Sequence, residues 1–336
     1  MSRRIARTCV VLIALCAVLP AGDKWSSLIT DHGLPGNEIQ FIKEEDQGLL
    51  WIGTLTGLAA YRDGKVSVPV KDVQIWDILK IGNNKYWVGT SNGVVLLEGE
   101  KQTVSLAGNT VAPLIPYDTT TVWAISKDLR TEQNTLVEYK GERWEPVEKF
   151  QKAKVVDLKR TSDGTLWVLV DADGAYAIDP KNGPDKAIRY LEGRNLTTLA
   201  EDSKKRIWFG SWGQGVFVLE GGKVTRYLDR EKSSIFAIVE DAKGTIWVTT
   251  SASGLYRFDG TNWTNDLKSE GGINMLVATA DGRVWISSQT VGGLRYWDGK
   301  KWQVSLESQL PIRCLVETKN KQLWAGGVLD GVHVRK

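Results

Sequence analysis

Histidine, cysteine and methionine are scarce in this sequence, which has 2 His, 3 Cys and 2 Met among 336 residues. Two histidines leave almost no material for a histidine-rich metal site or a histidine-based catalytic network. Three cysteines cannot build a disulfide framework. The chain also lacks a glycine-rich phosphate loop, a nucleophile elbow and a paired-cysteine metal site. We therefore expect no catalytic residues, no metal site and no cofactor.

Long apolar runs are absent except near the N-terminus. Three arginines at positions 3, 4 and 7 precede an apolar run over residues 9–19. This run is too short to span a bilayer comfortably but is typical of a signal peptide, with cleavage expected after Ala21. An uncleaved anchor or a buried strand is the alternative. The sequence thus predicts a signal peptide at residues 1–21 and a periplasmic or secreted protein.

The charge excess belongs to this N-terminal segment. Removing its three arginines from the 43 basic residues leaves 40, equal to the number of acidic residues. A neutral chain argues against nucleic acid or an anionic membrane as the main partner, so membrane contact is expected only through an uncleaved signal segment. The remaining cysteine, Cys314, lies in an apolar strand pattern and is expected to be a small buried residue.

Tryptophan and glycine are abundant, with 15 and 34 residues, and their positions repeat. Eight tryptophans share one local setting, and aliphatic residues stand twelve and nine positions before each of them, as Ile39 and Ile42 do before Trp51. The mean spacing of these tryptophans is 39 residues. We call them the register tryptophans: Trp51, Trp87, Trp123, Trp167, Trp208, Trp247, Trp285 and Trp324.

Turn signals divide each repeat into short segments. A turn rich in Asp, Asn and Gly precedes the tryptophan, and a glycine such as Gly57 begins the segment that follows it. Most copies add a second turn and a fourth segment. Four short strands per repeat, without sustained helical periodicity, predict an all-β fold of the β-propeller type. We predict a single eight-bladed propeller over residues 22–336, with seven blades as the alternative count.

The two ends of the repeat region complement each other. Gly22–Trp25 repeats the Gly-x-x-Trp pattern of several fourth strands, such as Gly260–Trp263. The last repeat stops just after its third strand. We therefore predict that the segment Trp25–Ile29 completes the last blade beside Gly331–Arg335, which leaves no open edge between the first and last blades.

Residues 33–58 resemble the two-component regulator propeller repeat, through GLPGNEI at 33–39, EDQG at 45–48, LWIGT at 50–54 and GL at 57–58. The resemblance extends over essentially all residues after 21, and it is weakest near Trp123 and Trp167. In that family such propellers form the periplasmic sensor part of hybrid histidine kinases and often bind saccharides. This sequence has no transmembrane helix, kinase or receiver module, so the resemblance implies a soluble exported propeller.

The first strands of a propeller line its channel, and their beginnings lie on the same face as the loops between second and third strands. We call this the mouth face, and the opposite side, made of Asp-Gly turns, the turn face. Trp212 is an aromatic residue in a second-to-third loop, where other repeats have small or polar residues. We predict that a ligand binds at the mouth face through Glu38, Lys154, Arg194, Asn195, Trp212, Gln214 and Arg313. A solvated rim without a ligand is the alternative, and the tight turns predict little concavity on the turn face.

These features favour an exported, non-catalytic ligand-binding or sensor propeller that recognises a saccharide or a small polar ligand. One alternative is a propeller polysaccharide lyase or hydrolase, which would need a tuned acid and base. His32 is the only histidine near the predicted mouth. The other alternative is a scaffold whose partner is an envelope protein bound at the rim.

Overall fold

The computed structural model describes residues 24–268 and 270–335. The predicted signal peptide lies outside these residues. The described residues form 32 β-strands and four short 3₁₀ turns at Thr30–His32, Asp46–Gly48, Glu148–Phe150 and Pro184–Lys186. No helix in this part of the chain has the length and apolar character needed to cross a membrane. The predicted all-β fold is confirmed.

The strands form antiparallel sets of four, which we call units 1 to 8. The chain begins with β1 (Trp25–Leu28), which belongs to unit 8. Unit 1 comprises β2 (Ile39–Glu44), β3 (Leu50–Thr54), β4 (Gly57–Arg62) and β5 (Lys65–Lys71). Unit 2 comprises β6 (Ile75–Gly82), β7 (Lys85–Thr90), β8 (Gly93–Glu98) and β9 (Lys101–Ser105). Unit 3 comprises β10 (Asn109–Pro116), β11 (Val122–Asp128), β12 (Asn134–Tyr139) and β13 (Trp144–Pro146).

The next three units follow the same order. Unit 4 comprises β14 (Val155–Arg160), β15 (Leu166–Val170), β16 (Gly174–Ile178) and β17 (Ile188–Tyr190). Unit 5 comprises β18 (Leu196–Glu201), β19 (Ile207–Ser211), β20 (Val216–Glu220) and β21 (Lys223–Tyr227). Unit 6 comprises β22 (Ile235–Glu240), β23 (Ile246–Thr250), β24 (Leu255–Phe258) and β25 (Trp263–Asn265).

The last two units differ in the origin of their fourth strand. Unit 7 comprises β26 (Ile273–Ala278), β27 (Val284–Ser288), β28 (Leu294–Trp297) and β29 (Trp302–Leu306). Unit 8 comprises β30 (Ile312–Glu317), β31 (Leu323–Gly327), β32 (Val332–Arg335) and β1. Six units are separate sheets, whereas units 2 and 3 are joined by one parallel pair between Thr110 and Gly93.

A β-bulge in each first strand explains why aliphatic residues recur three positions apart. In a regular strand, residues three apart point to opposite faces. In unit 1 the pairing register shifts between Ile39 and Phe41, and this shift turns Ile42 to the same side as Ile39. Both side chains are buried, at 0% and 5% exposure. The shift lies at the equivalent place in the other first strands, so the spacing of three records the bulge.

The first strands contact one another in chain order. Each first strand, from β2 through β26, packs against the first strand of the next unit, and β30 packs against β2. Carboxylates at the ends of some first strands accept backbone N–H groups from the turn of the preceding unit. Ser203 N donates to Glu240 at 2.6 Å, and Lys319 N donates to Glu44 at 2.7 Å. The second of these bonds links unit 8 to unit 1.

The strand pairing predicted for the two ends is present. β1 pairs antiparallel with β32, from Trp25 opposite Arg335 to Leu28 opposite Val332. The indole N–H of Trp25 donates to the backbone oxygen of Ser305 in unit 7 at 3.0 Å. The N-terminal strand therefore contacts two units at once.

The indole N–H groups of two register tryptophans are capped by aspartates of the preceding turn. Trp208 Nε1 donates to Asp202 Oδ2 at 2.7 Å, and Trp247 Nε1 donates to Asp241 Oδ2 at 2.8 Å. Asp202 Oδ2 also accepts Arg206 Nε, while its Oδ1 accepts the backbone N–H groups of Lys204 and Arg206. Burial acts to raise the pKa of Asp202, but the hydrogen bonds from Trp208 and Arg206 outweigh it and hold the pKa below its usual value.

Asp202→Asn is expected to lower the free energy of unfolding by about 1–3 kcal/mol, because an amide NH₂ in either orientation would face N–H donors. Above the ordinary aspartate pKa of 3.8 the full difference from the parent protein should be present, and it should shrink as the pH falls through the lowered folded value. Urea denaturation at several pH values measures this. Asp259→Asn is the control, because only Asp259 Oδ1 accepts the turn N–H groups. Equal losses in the two variants would contradict the prediction.

Candidate functional site

Hydroxyl groups hold the second-to-third loops of the mouth face close to the sheets. Thr54 Oγ1 donates to Gly57 O at 2.9 Å, and Ser211 Oγ donates to Gly215 O at 2.6 Å. In unit 5, Gly215 has a φ of +81°, and a Cβ there would lie 2.4 Å from Tyr227 O. Only glycine fits this position. The resulting tight turn projects Trp212, whose side chain is 68% exposed.

The surroundings of Trp212 come from units 5 and 6. Trp212 N donates to Asn195 O at 2.8 Å, which fixes the loop beside the entry to β18. A Cβ on Gly213 would lie 3.0 Å from Lys232 O, so the loop also touches the segment that enters β22. Arg194 lies next to Asn195 in sequence, and its guanidinium is 5.6 Å from the ring centroid of Phe217. We call Arg194, Asn195, Trp212 and Lys232 the Trp212 patch.

Two residues of the patch, Arg194 and Lys232, are basic. Over residues 24–268 and 270–335, neither Arg194 nor Lys232 forms an ion pair, and neither does the neighbouring Arg230. Gln214 lies in the same loop, and its Oε1 is buried without a hydrogen-bond partner among the described residues. Buried acceptors are normally satisfied, so a bound water or a rotated amide is expected at this oxygen of Gln214.

The other predicted residues lie in two separate places. Glu38 and Arg313 form an ion pair at 3.4 Å where unit 1 meets unit 8, and Arg313 also donates to Gln40. Lys154 in unit 4 pairs with Asp171 at 2.8 Å. The structure therefore brings Arg194, Asn195, Trp212 and Gln214 together. It holds Glu38, Arg313 and Lys154 in local ion pairs elsewhere on the mouth face.

Exposed apolar side chains concentrate on the mouth face. Trp76 and Phe236, in the first strands of units 2 and 6, are 40% and 48% exposed. Each stands eleven positions before a register tryptophan. This shared position could have identified Phe236 from the sequence as a residue of the mouth face. Loop residues add to this set: Leu55, Leu129, Val291 and Leu329. Clustered exposed apolar residues mark binding surfaces more often than isolated ones do.

Two carboxyl groups lie in the bulges of first strands. Asp77 Oδ1 accepts Ile78 N at 2.7 Å, and its Oδ2 accepts Leu114 N of the next unit at 2.8 Å. Asp157 Oδ1 accepts Leu158 N at 2.9 Å. Burial raises the pKa of both groups above the usual aspartate value. These hydrogen bonds give the two side chains a role in holding the bulged backbone.

The expectation that His32 is the only histidine near the mouth is wrong, because His333 Nε2 lies 3.0 Å from Asp330 Oδ2 in the second-to-third loop of unit 8. His32 Nδ1 accepts Ile29 N at 3.2 Å in the connection between β1 and β2. Burial of the thiol raises the pKa of Cys314 to about 12, but the residue as a whole is partly buried and not fully buried as the sequence predicted. Among the residues that the structure describes, no group of three or more His, Cys, Asp or Glu side chains could hold a metal ion.

The expectation of little concavity on the turn face is wrong. A cleft of about 640 Å³ lies there between units 1 and 2, bordered by the turns at Asp63, Asn84 and Gly99. A cleft on the mouth face, beside Val291 and Gln309, has about 420 Å³. The turns themselves are short, and the cleft lies between the two units, where residues of both line it.

Comparison with known proteins confirms the resemblance found in the sequence. The family model described as two component regulator propeller matches residues 231–252, which include Trp247. The extracellular domain of the hybrid two component system BT3049 from B. thetaiotaomicron is 17% identical, with a TM-score of 0.62 over 94% of this chain and 42% of that one. The extracellular domain of BT4673 from the same organism is 17% identical, with a TM-score of 0.55 over 91% and 51%.

A third similar structure is that of a lyase. Virginiamycin B lyase from Staphylococcus aureus is 12% identical, with a TM-score of 0.56 over 93% of this chain and 99% of that one. No curated protein matches the sequence. The chain spans about half or less of the length of these two extracellular domains. At such identities these likenesses show a shared propeller fold, and function must be argued from the site.

Proposed function

We propose that this protein is an exported, non-catalytic sensor-type propeller that binds its ligand at the mouth face. The observation that carries the proposal is Trp212, an indole exposed on that face in a loop that contacts the backbone of Asn195 and Lys232. A large exposed aromatic side chain costs solubility, so its placement beside a channel mouth favours a binding role. The repeat match at residues 231–252 and the fold shared with extracellular sensor domains support a location outside the cytoplasm.

We infer that the eight units form a closed eight-bladed ring. The contacts between successive first strands return from β30 to β2. The pairing of β1 with β32 joins the two ends of the chain within one sheet. The bond from Lys319 N to Glu44 repeats, between units 8 and 1, the link seen between units 5 and 6. A ring of this kind holds the Trp212 patch on a rigid frame.

The ligand class follows from the chemistry of the patch. An exposed indole offers a flat apolar surface on which a sugar ring can stack. Arg194 and Lys232 donate hydrogen bonds and carry positive charge, while Asn195 and Gln214 can donate or accept. An oligosaccharide, in particular one with acidic groups, matches this combination better than an uncharged apolar molecule does.

Trp212→Ala and Arg194→Ala are each expected to weaken oligosaccharide binding about tenfold or more, because each removes a central contact. Isothermal titration calorimetry with a panel of neutral and acidic oligosaccharides measures this. Trp76→Ala is the matched control, since it removes an exposed indole from another unit of the same face. If Trp76→Ala abolishes binding and the two patch variants bind normally, the ligand does not bind at the Trp212 patch.

The apolar residues of the mouth face favour a second candidate, in which an envelope protein binds there. Trp76, Phe236 and Leu329 are exposed apolar residues on this face, and a saccharide site would not need them. Co-purification from envelope extract, compared between the parent protein and a Trp76→Ala/Phe236→Ala variant, tests this candidate. Turnover of polysaccharides by the purified protein would instead support the lyase or hydrolase alternative.

A further inference from the structure

The fourth strand of several units carries a tryptophan that packs against the register tryptophan of the preceding unit. Trp144 lies 5.4 Å from Trp87 between ring centroids, and Trp302 lies 6.0 Å from Trp247. The ring planes are nearly perpendicular, at 71° and 82°. Trp263 on Trp208 repeats this arrangement. We call this place in the fourth strand the cover position.

Unit 2 has a glutamine at its cover position. Gln102 pairs with Leu97 in the same way that Trp144 pairs with Tyr139. Its side chain donates to Pro69 O of unit 1 at 2.6 Å. Among the residues that the structure describes, no indole therefore packs edge-on against Trp51, the register tryptophan of unit 1. The 640 Å³ cleft of the turn face lies at this place, and Trp51, Leu97 and Pro69 all line it.

The floor of the cleft is aromatic and held in place. Trp51 and Tyr86 pack edge to face with centroids 5.0 Å apart. Glu45 accepts Trp51 Nε1 at 2.8 Å and Tyr86 Oη at 3.0 Å, and it pairs with Lys80 at 2.6 Å. Burial and the Glu45 carboxylate raise the pKa of Tyr86 to about 12, so the phenol stays neutral. A ligand would meet rings that are already oriented.

The rim of the cleft is polar and carries a net positive charge. Arg62 and Lys65 line it from unit 1, and neither forms an ion pair within the described ranges. Asp63 is the one acidic side chain among the lining residues that the structure gives for this cleft. An apolar floor with a few polar groups at the rim, within a volume of about 300–1,000 Å³, is typical of small-molecule sites.

We propose that this cleft binds a planar aromatic compound of indole size that carries an anionic group. The ring takes the place that a cover tryptophan occupies in other units, with its edge or face against Trp51. The anionic group lies at the rim beside Arg62 and Lys65. This site is on the opposite face from the Trp212 patch, so it adds a second ligand to the function proposed above.

Titration of the full mature chain with indole-3-acetate, indole and cyclohexylacetate tests the proposal by calorimetry and ligand-observed NMR. We expect indole-3-acetate to bind most tightly, indole more weakly and the non-aromatic acid not at all. Arg62→Gln should weaken binding of indole-3-acetate while leaving the affinity for indole unchanged. Binding of cyclohexylacetate as tight as that of indole-3-acetate, or binding of none of the aromatic probes, would overturn the proposal.

Gln102→Trp should restore the cover and fill the cleft. We expect this variant to lose affinity for indole-3-acetate at least tenfold and to melt at a higher temperature than the parent protein. Val224→Trp is the matched control, since Val224 occupies the cover position of unit 5 opposite Leu219. It should leave binding unchanged. Normal binding by Gln102→Trp, or equal loss in both variants, would contradict the placement of the site.

Discussion

A chain that begins at Asp31 is expected to melt at a lower temperature than one that begins at Gly22, and to aggregate. The deletion removes β1, whose four residues pair with Val332–Arg335. It also removes the Trp25 indole, which bonds to Ser305 O in unit 7. Loss of a packed aromatic side chain costs about 3–5 kcal/mol, and the freed edge of β32 becomes a template for strands of other molecules. Differential scanning calorimetry and size-exclusion chromatography measure the two effects.

Complementation distinguishes strand pairing from a general effect of truncation. A synthetic peptide of residues 22–30, added to the shortened chain, should raise its melting temperature and reduce aggregation, because it can pair again with β32. A scrambled peptide of the same composition is the control. An unchanged melting temperature after the deletion would show that β1 does not stabilise unit 8.

The repeat and the pairing of its two ends could be predicted because they leave a pattern in the chain. Trp51 and its seven equivalents mark the second strands, and the Gly-x-x-Trp pattern ending at Trp25 marks a displaced fourth strand. The bulges were also recorded in the sequence, since aliphatic residues three apart, such as Ile39 and Ile42, cannot share a face of a regular strand. The spacing of three was visible in the sequence, but it was not interpreted as a β-bulge.

The candidate site was less predictable because a sequence does not show which charges pair. Lys154 belonged to the predicted set, yet in the structure it forms an ion pair with Asp171. Lys232 did not belong to it, yet it lies unpaired beside the Trp212 loop. Position along the repeat identifies the face on which a residue lies. Whether its charge is available depends on the rotamers and neighbours of long side chains, which periodicity does not encode.

The cleft between units 1 and 2 was missed for a different reason. Gly99–Gln102 fits the Gly-x-x-Trp pattern except at its last residue. A missing tryptophan predicts a cleft only under two conditions. The repeat must call for a tryptophan at that position, and the preceding unit must have a surface that its absence leaves exposed. In unit 1 the cover position holds Val66, and the ring that packs on Trp324, with centroids 4.8 Å apart, belongs to its third-strand partner Tyr61.

Trp208→Ala is expected to lower the free energy of unfolding by about 3–5 kcal/mol, and Trp51→Ala by less. Trp208 is fully buried, lies within about 6 Å of the rings of Tyr227, Phe258 and Trp263, and donates to the buried Asp202. Trp51 is 7% exposed and faces the cleft, so its removal breaks fewer contacts. Urea denaturation of both variants compares the two losses.

The same comparison in a Gln102→Trp background tests why the two tryptophans differ. If the missing cover makes Trp51 the less costly of the two, then supplying an indole at position 102 should raise the cost of Trp51→Ala toward that of Trp208→Ala. The cost of Trp208→Ala should stay the same, because position 102 contacts unit 1 whereas Trp208 packs on rings of unit 6. The coupling energy between positions 51 and 102 in this double-mutant cycle is therefore expected to be clearly non-zero. A coupling near zero would mean that a tryptophan at position 102 does not pack on Trp51, and that the repeat does not define the shape of the cleft.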